Sequence, residues 1–483
     1  MSSKLTLLGL FAVAVLFHVG LAQQAGSCPG RQRYGQCQCQ IQKLQALRPS
    51  QRYESEGGLI EVWLQNNQQL QCAGVTLVRQ TIRRNSFNFP GYNNAPKLTY
   101  VPPRGRGVHS VVIPGCPETY QSTEQFQGQR EQGEQARTIR ADEHQKIRPI
   151  RQGDVVANPT GHVHWFYNDG EEQLVLIHLI DTGSNSNQLD QQFRKFYLGG
   201  NPQSEREHGQ HQQGPYQGEE QTYYQQRFES NNIFRGIDDE ILQEVLGVRR
   251  ETVEKVKGRG DVRGHMVQAR QGLQLVRPSR MEEEEYRHGG SSSYGNGFEE
   301  TICTARMREN IGNPARADVY NPEAGYIRTV NRMNLPILNY LQLSAERGVL
   351  YRNAIYAPHY NLNAHTIIYV TRGSARVQVI GNYRQPVYDG QLSEGQVLVV
   401  PQNFALTKQA GQGGFEWVSF KTDANAMINS LAGKTSAFRA LPVDMLASMY
   451  QISRQEAENL KYNRGQEVMI FAPSSTSLGR ALP

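Results

Sequence analysis

Lysine is scarce in this 483-residue chain, with 11 copies against 40 arginines. The arginines are dispersed among Asp and Glu, and no basic run is interleaved with aromatics. The net charge of +6 therefore marks no focused nucleic-acid surface, and no nucleic-acid partner is expected. There are only six cysteines, none of them in a C-x-x-C pair, so the common zinc and redox signatures are missing. No N-glycosylation sequon occurs. Acyl-transfer, nucleotide and metalloprotease motifs (G-x-S-x-G, Walker A, H-E-x-x-H) are absent as well. Beyond the first two dozen residues, no apolar run approaches the roughly 18 residues that a membrane helix needs, so no membrane association of the mature form is expected.

What the chain does have is nitrogen. It carries 49 Gln and 29 Asn, and with the 40 Arg these make up about a quarter of all residues. No reaction mechanism calls for that bias. At the N-terminus, Lys4 precedes "LTLLGLFAVAVLF" and the small residues of "VGLA". This predicts a secretory signal over 1–22, cleaved after Ala22. The mature chain would then meet an oxidising compartment where disulfides persist. Six cysteines allow 15 pairings, and spacing alone does not choose among them.

Three stretches, 121–137, 199–228 and 277–296, are rich in Gln, Glu, Gly or Ser and lack periodic apolar positions. They read as surface loops. Between them lie short Val/Ile-rich runs bounded by Gly, Pro and Asn, such as "VHSVVIPG", "GDVVANP", "EQLVLIHLI", "TIIYVTRGSARVQVIG" and "GQVLVVP". Closely spaced strands of this kind predict an all-β sandwich or barrel. Two segments have helical periodicity instead, "IDDEILQEVLGVRRETVEKVK" and "LPVDMLASMYQISRQEAENLK". They align without a gap at an offset of 204, with Phe234/Phe438, Arg250/Arg454, Glu254/Glu458 and Lys257/Lys461 in register. The expectation is a mainly β chain with an internal repeat, in which each barrel is followed by a helical arm.

The sharpest local pattern is "GDVVANPTGHVHWFYN". Gly153, Pro159, Gly161, His164 and Asn168 match the second motif of the cupin family. Gly153 suits the strand-connecting turn, and Pro159 with Gly161 suits a second tight corner. His164 then points into the barrel, and His162, two residues earlier, is expected to share that face. In metal-dependent cupins, the resemblance implies a first motif that adds two His and a Glu. Aligning "TYV" with "IYV" puts those positions near Pro90, Tyr92 and Pro96 in the first half, and at His359, Asn361 and His365 in the second. The second half keeps Gly395 and Pro401 but has Leu406 where the motif histidine would sit. Neither half supplies a full ligand set from its own motifs. No cofactor or catalytic residue is expected. His162, His164 and His178 are at most weak candidates for an adventitious ion.

The stretches "NGFEETICTARMRENIGNPARADVYNPEAGYI", "CQIQKLQALRPSQRYESEGGLIEVW", "QCAGVTLVRQTI" and "FKTDANAMINSLAGKTSAFRALPVDMLA" carry a wider resemblance. Through them the chain resembles the legumin-type 11S seed storage globulins, which are bicupins of two jelly-roll barrels. The resemblance implies a non-enzymatic nutrient reservoir. It also implies cleavage between Asn296 and Gly297 by an asparaginyl endopeptidase, with the pieces joined by Cys116–Cys303 and a second bridge Cys39–Cys72. Cys28 and Cys37 lie outside these pairs, and either a local loop or a link between subunits is open to them. The implied layout is a signal at 1–22, a first cupin unit with its arm at 23–258, a polar segment at 259–296 and a second unit at 297–483. Trimers of the precursor, hexamers after cleavage and delivery to the seed protein storage vacuole are implied too. The family's acidic/basic division fits loosely: residues 297–483 carry 18 Lys+Arg against 14 Asp+Glu, while the first piece is close to neutral. Two alternatives are a metal-dependent bicupin enzyme and a vicilin-like cupin that binds a small ligand.

Overall fold

The Val/Ile-rich runs form strands, as their β-branched side chains favour. They include Arg106–Val112, Asp154–Asn158, Leu174–Asp181, Thr366–Ile380 and Val397–Val400. The computed structural model describes residues 41–472 apart from 66, 119, 122–142, 146, 203–228, 274, 276–302, 304 and 383–384. The expected leader, Cys28, Cys37, Cys39 and the Asn296–Gly297 step lie outside the described residues.

The first barrel has two sheets. One runs in the order Gln51–Ser55, Gly58–Trp63, Val75–Ile82, Leu174–Asp181, Lys97–Tyr100, Asp154–Asn158 and Arg308–Asn310. The other is centred on Arg106–Val112, Val163–Tyr167, Gly91–Asn93 and Arg194–Tyr197. In the second barrel, two long strands, Thr366–Ile380 and Ala405–Lys421, bend through both faces and merge them into one ten-stranded sheet. Their pairing slips between Val370/Arg372 and between Gly373/Ala375, which marks the bend.

Burial explains how the barrels meet. The first five residues of Thr366–Ile380 are all buried, and the remainder mixes buried with exposed positions. Lys97–Tyr100, Asp154–Asn158, Ser344–Leu350 and Val397–Val400 are buried throughout. A strand covered on both faces has the barrel interior on one side and a second layer on the other. That layer is the other barrel: Leu98, Tyr100, Val155 and Ile177 share one core with Ile367, Tyr369, Val399 and Phe420. Arg79 Nη1 donates to Tyr369 Oη at 3.2 Å across this interface.

Chain ends cross between barrels. Ile41 and Leu44 sit in the core of the second barrel, and Leu47 bridges to Val397. In return Arg308–Asn310 pairs with Asp154–Val156, and Met307 and Ile311 are fully buried in the core that the barrels share. Met266–Gln268, placed by sequence in the polar segment 259–296, is a strand paired with Ser86–Asn88. Its Met266 and Val267 are buried, so the first barrel extends past residue 258.

The arms keep the 204-residue offset in detail. Helices at Asp239–Leu246 and Arg250–Val256 match Val443–Tyr450 and Arg454–Tyr462. The first helix of each arm ends on a left-handed residue, Gly247 (φ 63°) and Gln451 (φ 55°). Asp238 caps the first arm, and Ser453 with Glu456 forms a capping box in the second. Among the described residues, no helix is long and apolar enough to cross a membrane. Cys116 and Cys303 are bonded, with Cα atoms 5.6 Å apart. Cys72 is disulfide-bonded as well.

Candidate functional site

The 153–168 motif builds one corner of the first barrel. Gly153 (φ 84°) turns the chain so tightly that a Cβ would strike the backbone of Gly312, a residue of the second half. Gly161 (φ 74°) meets nothing within 4 Å, so it is needed for its backbone angle alone. Its N–H donates to Asn93 O at 3.0 Å, which ties the corner beyond Pro159 to a neighbouring strand. Asn168 is a clamp and not a pocket group. Its Nδ2 donates to Ile82 O and Glu172 O, and its Oδ1 accepts from Gly170 N–H.

His164 is the motif residue that meets the buried polar cluster. Its Nδ1 bonds His162 O at 3.0 Å and therefore carries the proton. Nε2 is left as an acceptor, and two lysines point at it: Lys97 Nζ at 2.5 Å and Lys195 Nζ at 3.2 Å. Lys195 Nζ also donates to Gly91 O at 3.0 Å. Burial, followed by the charges of Lys195 and Lys97, holds the imidazole well below its usual pKa. Burial likewise pushes the Lys195 ammonium down to about 7. Lys97 falls well below the usual lysine value through burial and the charge of Lys195.

Of the other candidate histidines, His162 lies apart from this cluster, while His178 lines the space beside Lys97 and Lys195 with its ring nitrogens bonded elsewhere. His162 was expected on the same face as His164, but it lies in the corner before the strand Val163–Tyr167, half-buried, with Nδ1 on Thr160 O at 3.0 Å. Strand alternation does not extend into that turn. His178 is buried and spends both nitrogens in a polar chain: Nδ1 bonds Thr99 Oγ1 at 2.8 Å and Nε2 bonds Gln80 Oε1 at 3.2 Å. Pairing of His164 with Gly91, and of His359 with Leu406, also shifts the first-half ligand positions by one residue. Gly91 and Asn93, not Pro90 and Tyr92, match His359 and Asn361. Tyr92 stacks on Phe196 with centroids 5.0 Å apart.

In the second barrel, His359 stacks on Tyr356 at 4.0 Å and bonds Ala357 O. Burial first, then Lys408, lowers its pKa to about 3. Asn361 bonds Thr366 Oγ1 and Lys421 Nζ, and Gln402 N–H donates to His365. Lys421 pairs with Glu346 at 2.9 Å, and Lys408 lies over the rings of Trp417 and Tyr356, at 4.2 and 4.7 Å. Among the described residues, no three His, Cys, Asp or Glu side chains come together as a metal site.

A cupin metal does not fit either barrel. In the first, the Nε2 lone pair of His164 faces the amino groups of Lys97 and Lys195, and a cation there would meet their charge. In the second, a leucine stands where the motif histidine would be. The lysines were not singled out by sequence, although a signal existed. Lysine is scarce, yet Lys97, Lys195, Lys257, Lys408 and Lys421 are all buried.

Comparison with known proteins agrees with this architecture. A family model described as cupin matches residues 44–204 and 309–458. The 11S globulin seed storage protein 1 of Carya illinoinensis is 48% identical, over 96% of each chain. The crystal structure of pumpkin seed globulin superposes with a TM-score of 0.76 at 43% identity, covering 90% of this chain and all of that one. The 11S globulin from Wrightia tinctoria, described with an auxin binding site, has a TM-score of 0.76 at 41% identity, covering 90% and 96%. With two cupin barrels, their helical arms and full-length relatives of this kind, the chain belongs to the 11S, legumin-type seed storage globulins.

Proposed function

We propose that the protein is a nitrogen reservoir of the seed, delivered through the secretory pathway to the protein storage vacuole, and that it catalyses no reaction. The observation that carries this is the first barrel. It keeps the cupin corner but aims lysines at the position where a metal would bind. The wealth of Gln, Asn and Arg supports the same reading. Its Gln falls mostly before Asn296, with clusters in segments that need no core.

Maturation by an asparaginyl endopeptidase between Asn296 and Gly297 gives pieces 23–296 and 297–483, retained by Cys116–Cys303, with Cys39 bonded to Cys72. Trimers form first and hexamers after cleavage. Exposed apolar side chains on both arms support assembly: Ile241, Val245 and Leu246 on the first and Met445, Met449 and Tyr450 on the second.

Electrophoresis of seed-derived protein with and without reductant tests the processing. One band that splits into two on reduction is expected, and a single band under both conditions would reject the cleavage. Metal analysis tests the rest. Stoichiometric manganese accompanied by turnover would replace the reservoir with an enzyme.

A further inference from the structure

The two barrels treat their buried lysines differently. In the second, Glu346 supplies an internal carboxylate to Lys421. The matching position in the first is Val78: Val78–Arg79 and Glu346–Arg347 occupy equivalent places, since Arg79 opposes Ile177 and Arg347 opposes Val418 in matching strand pairs. Valine provides no charge. Lys97 and Lys195 therefore share a buried polar cluster with His164 and His178, and His109 lies close behind. No Asp or Glu is among the described residues that line the space beside them. A buried ammonium without an anion is strongly disfavoured.

Beside them is a cavity of about 40 Å³, counted as space for the centres of water molecules. Roughly 10–15 Å³ in that measure holds one water, so there is room for a few waters or one small ion. Lys97, Lys195, His178, Gln80 and Asn93 line it. Asn93 is 3% exposed, and its Oδ1 has no hydrogen-bond partner. Its amide can turn to present N–H groups to an acceptor.

We propose that this cavity binds one small oxyanion, of phosphate or carboxylate type, between Lys97 and Lys195 with the Asn93 amide as a further donor. The anion takes the part that Glu346 plays in the second barrel. Depressed lysine pKa values agree with this, because they describe ammonium groups with no counter-charge. The inference is independent of storage and cleavage, and concerns a ligand that the reservoir reading does not require.

Isothermal titration calorimetry of the full-length assembled protein at pH 6 tests it. Sodium phosphate and sodium acetate are titrated separately, against sodium chloride at matched ionic strength. Saturable binding of at least one of the two anions at one per subunit is expected, and the arm that saturates identifies the source. The Lys97→Met/Lys195→Met variant is expected to raise Kd tenfold or more. Near-UV circular dichroism confirms that its fold is kept. No heat above the chloride control with either anion, or unchanged affinity in a folded variant, would overturn the site. The wild-type titration decides even if the variant does not fold.

Discussion

Cutting the chain inside residues 276–302 leaves two pieces whose cores are interleaved. Ile41, Leu44 and Leu47 of the first piece are buried against the second barrel, while Met307 and Ile311 of the second piece enter the shared core. A fully buried side chain of this size contributes about 1.5–3 kcal/mol, so these five give roughly 7–15 kcal/mol. Holding two chains together costs about 4–15 kcal/mol in lost freedom. The crossing residues alone are on that scale, and the core between the barrels, with Leu98, Ile177, Val399 and Phe420, is surplus. The Cys116–Cys303 bond is therefore expected to be dispensable for association under native conditions. An engineered protease site in the 276–302 segment makes the test independent of natural processing. After cleavage and full reduction, or in a Cys116→Ser variant, both pieces are expected to co-elute in size-exclusion chromatography at micromolar concentration. They should separate only in denaturant. Separation in native buffer on reduction alone would refute the reasoning and make the disulfide the principal tie.

Glu346→Gln removes the carboxylate facing Lys421. Lysine charges lower the Glu346 pKa from 4.5 to about 2 against the cost of burial, a shift equivalent to about 3 kcal/mol. A depressed carboxylate stabilises above pH 4.5, and that contribution fades as pH falls towards 2. Guanidinium denaturation followed by tryptophan fluorescence should show the loss at pH 7 and a shrinking gap below pH 4.5; a gap under 1 kcal/mol at pH 7 contradicts the pairing. Gly348→Ala drives a Cβ into the Trp417 ring, and the same assay should show about 1–3 kcal/mol of destabilisation from overpacking. Val245→Asp and Met449→Asp place charges on the exposed apolar faces of the arms, so sedimentation velocity should show smaller assemblies with unchanged circular dichroism. Ser453→Ala removes one half of a capping box and should cost about 1 kcal/mol, seen as earlier loss of helical signal on heating.

The arms were legible because their information is local. Periodicity, caps and a gap-free offset of 204 all lie within short windows, and the helix starts at 239/443 and 250/454 follow it. The corner at 153–168 was legible for the same reason. What sequence missed is non-local. Lys97, His164 and Lys195 come from three strands, and only the barrel brings them together. Ile41, Leu44 and Leu47 have plausible apolar spacing, but no pattern says which barrel they cover. One-residue slips also escape an alignment, as between Asn93 and Lys97, and a slip of one turns a side chain to the other face.

The scarcity of lysine acquires a physical meaning in the barrels. Arginine holds a planar, permanently charged group that cannot be neutralised inside a protein. Lysine can lose its proton when buried, and burial brings both Lys195 and Lys408 to about 7. A cupin barrel without its metal keeps a polar interior, where a permanent cation without a partner would be costly. Lysine tolerates that interior in two ways, through a fixed carboxylate at Lys421 and through partial discharge over aromatic faces at Lys195 and Lys408. Discharge is the weaker solution, because lowering the pH restores the charge. Falling pH restores charge on Lys195 and Lys408 over the same range around 7, and the second barrel alone meets it with a fixed carboxylate, since Glu346 stays ionised until the pH approaches about 2. The difference between the barrels follows from where a carboxylate sits, at Glu346 beside Lys421 in the second and nowhere among the described residues lining the cavity beside Lys97 and Lys195 in the first.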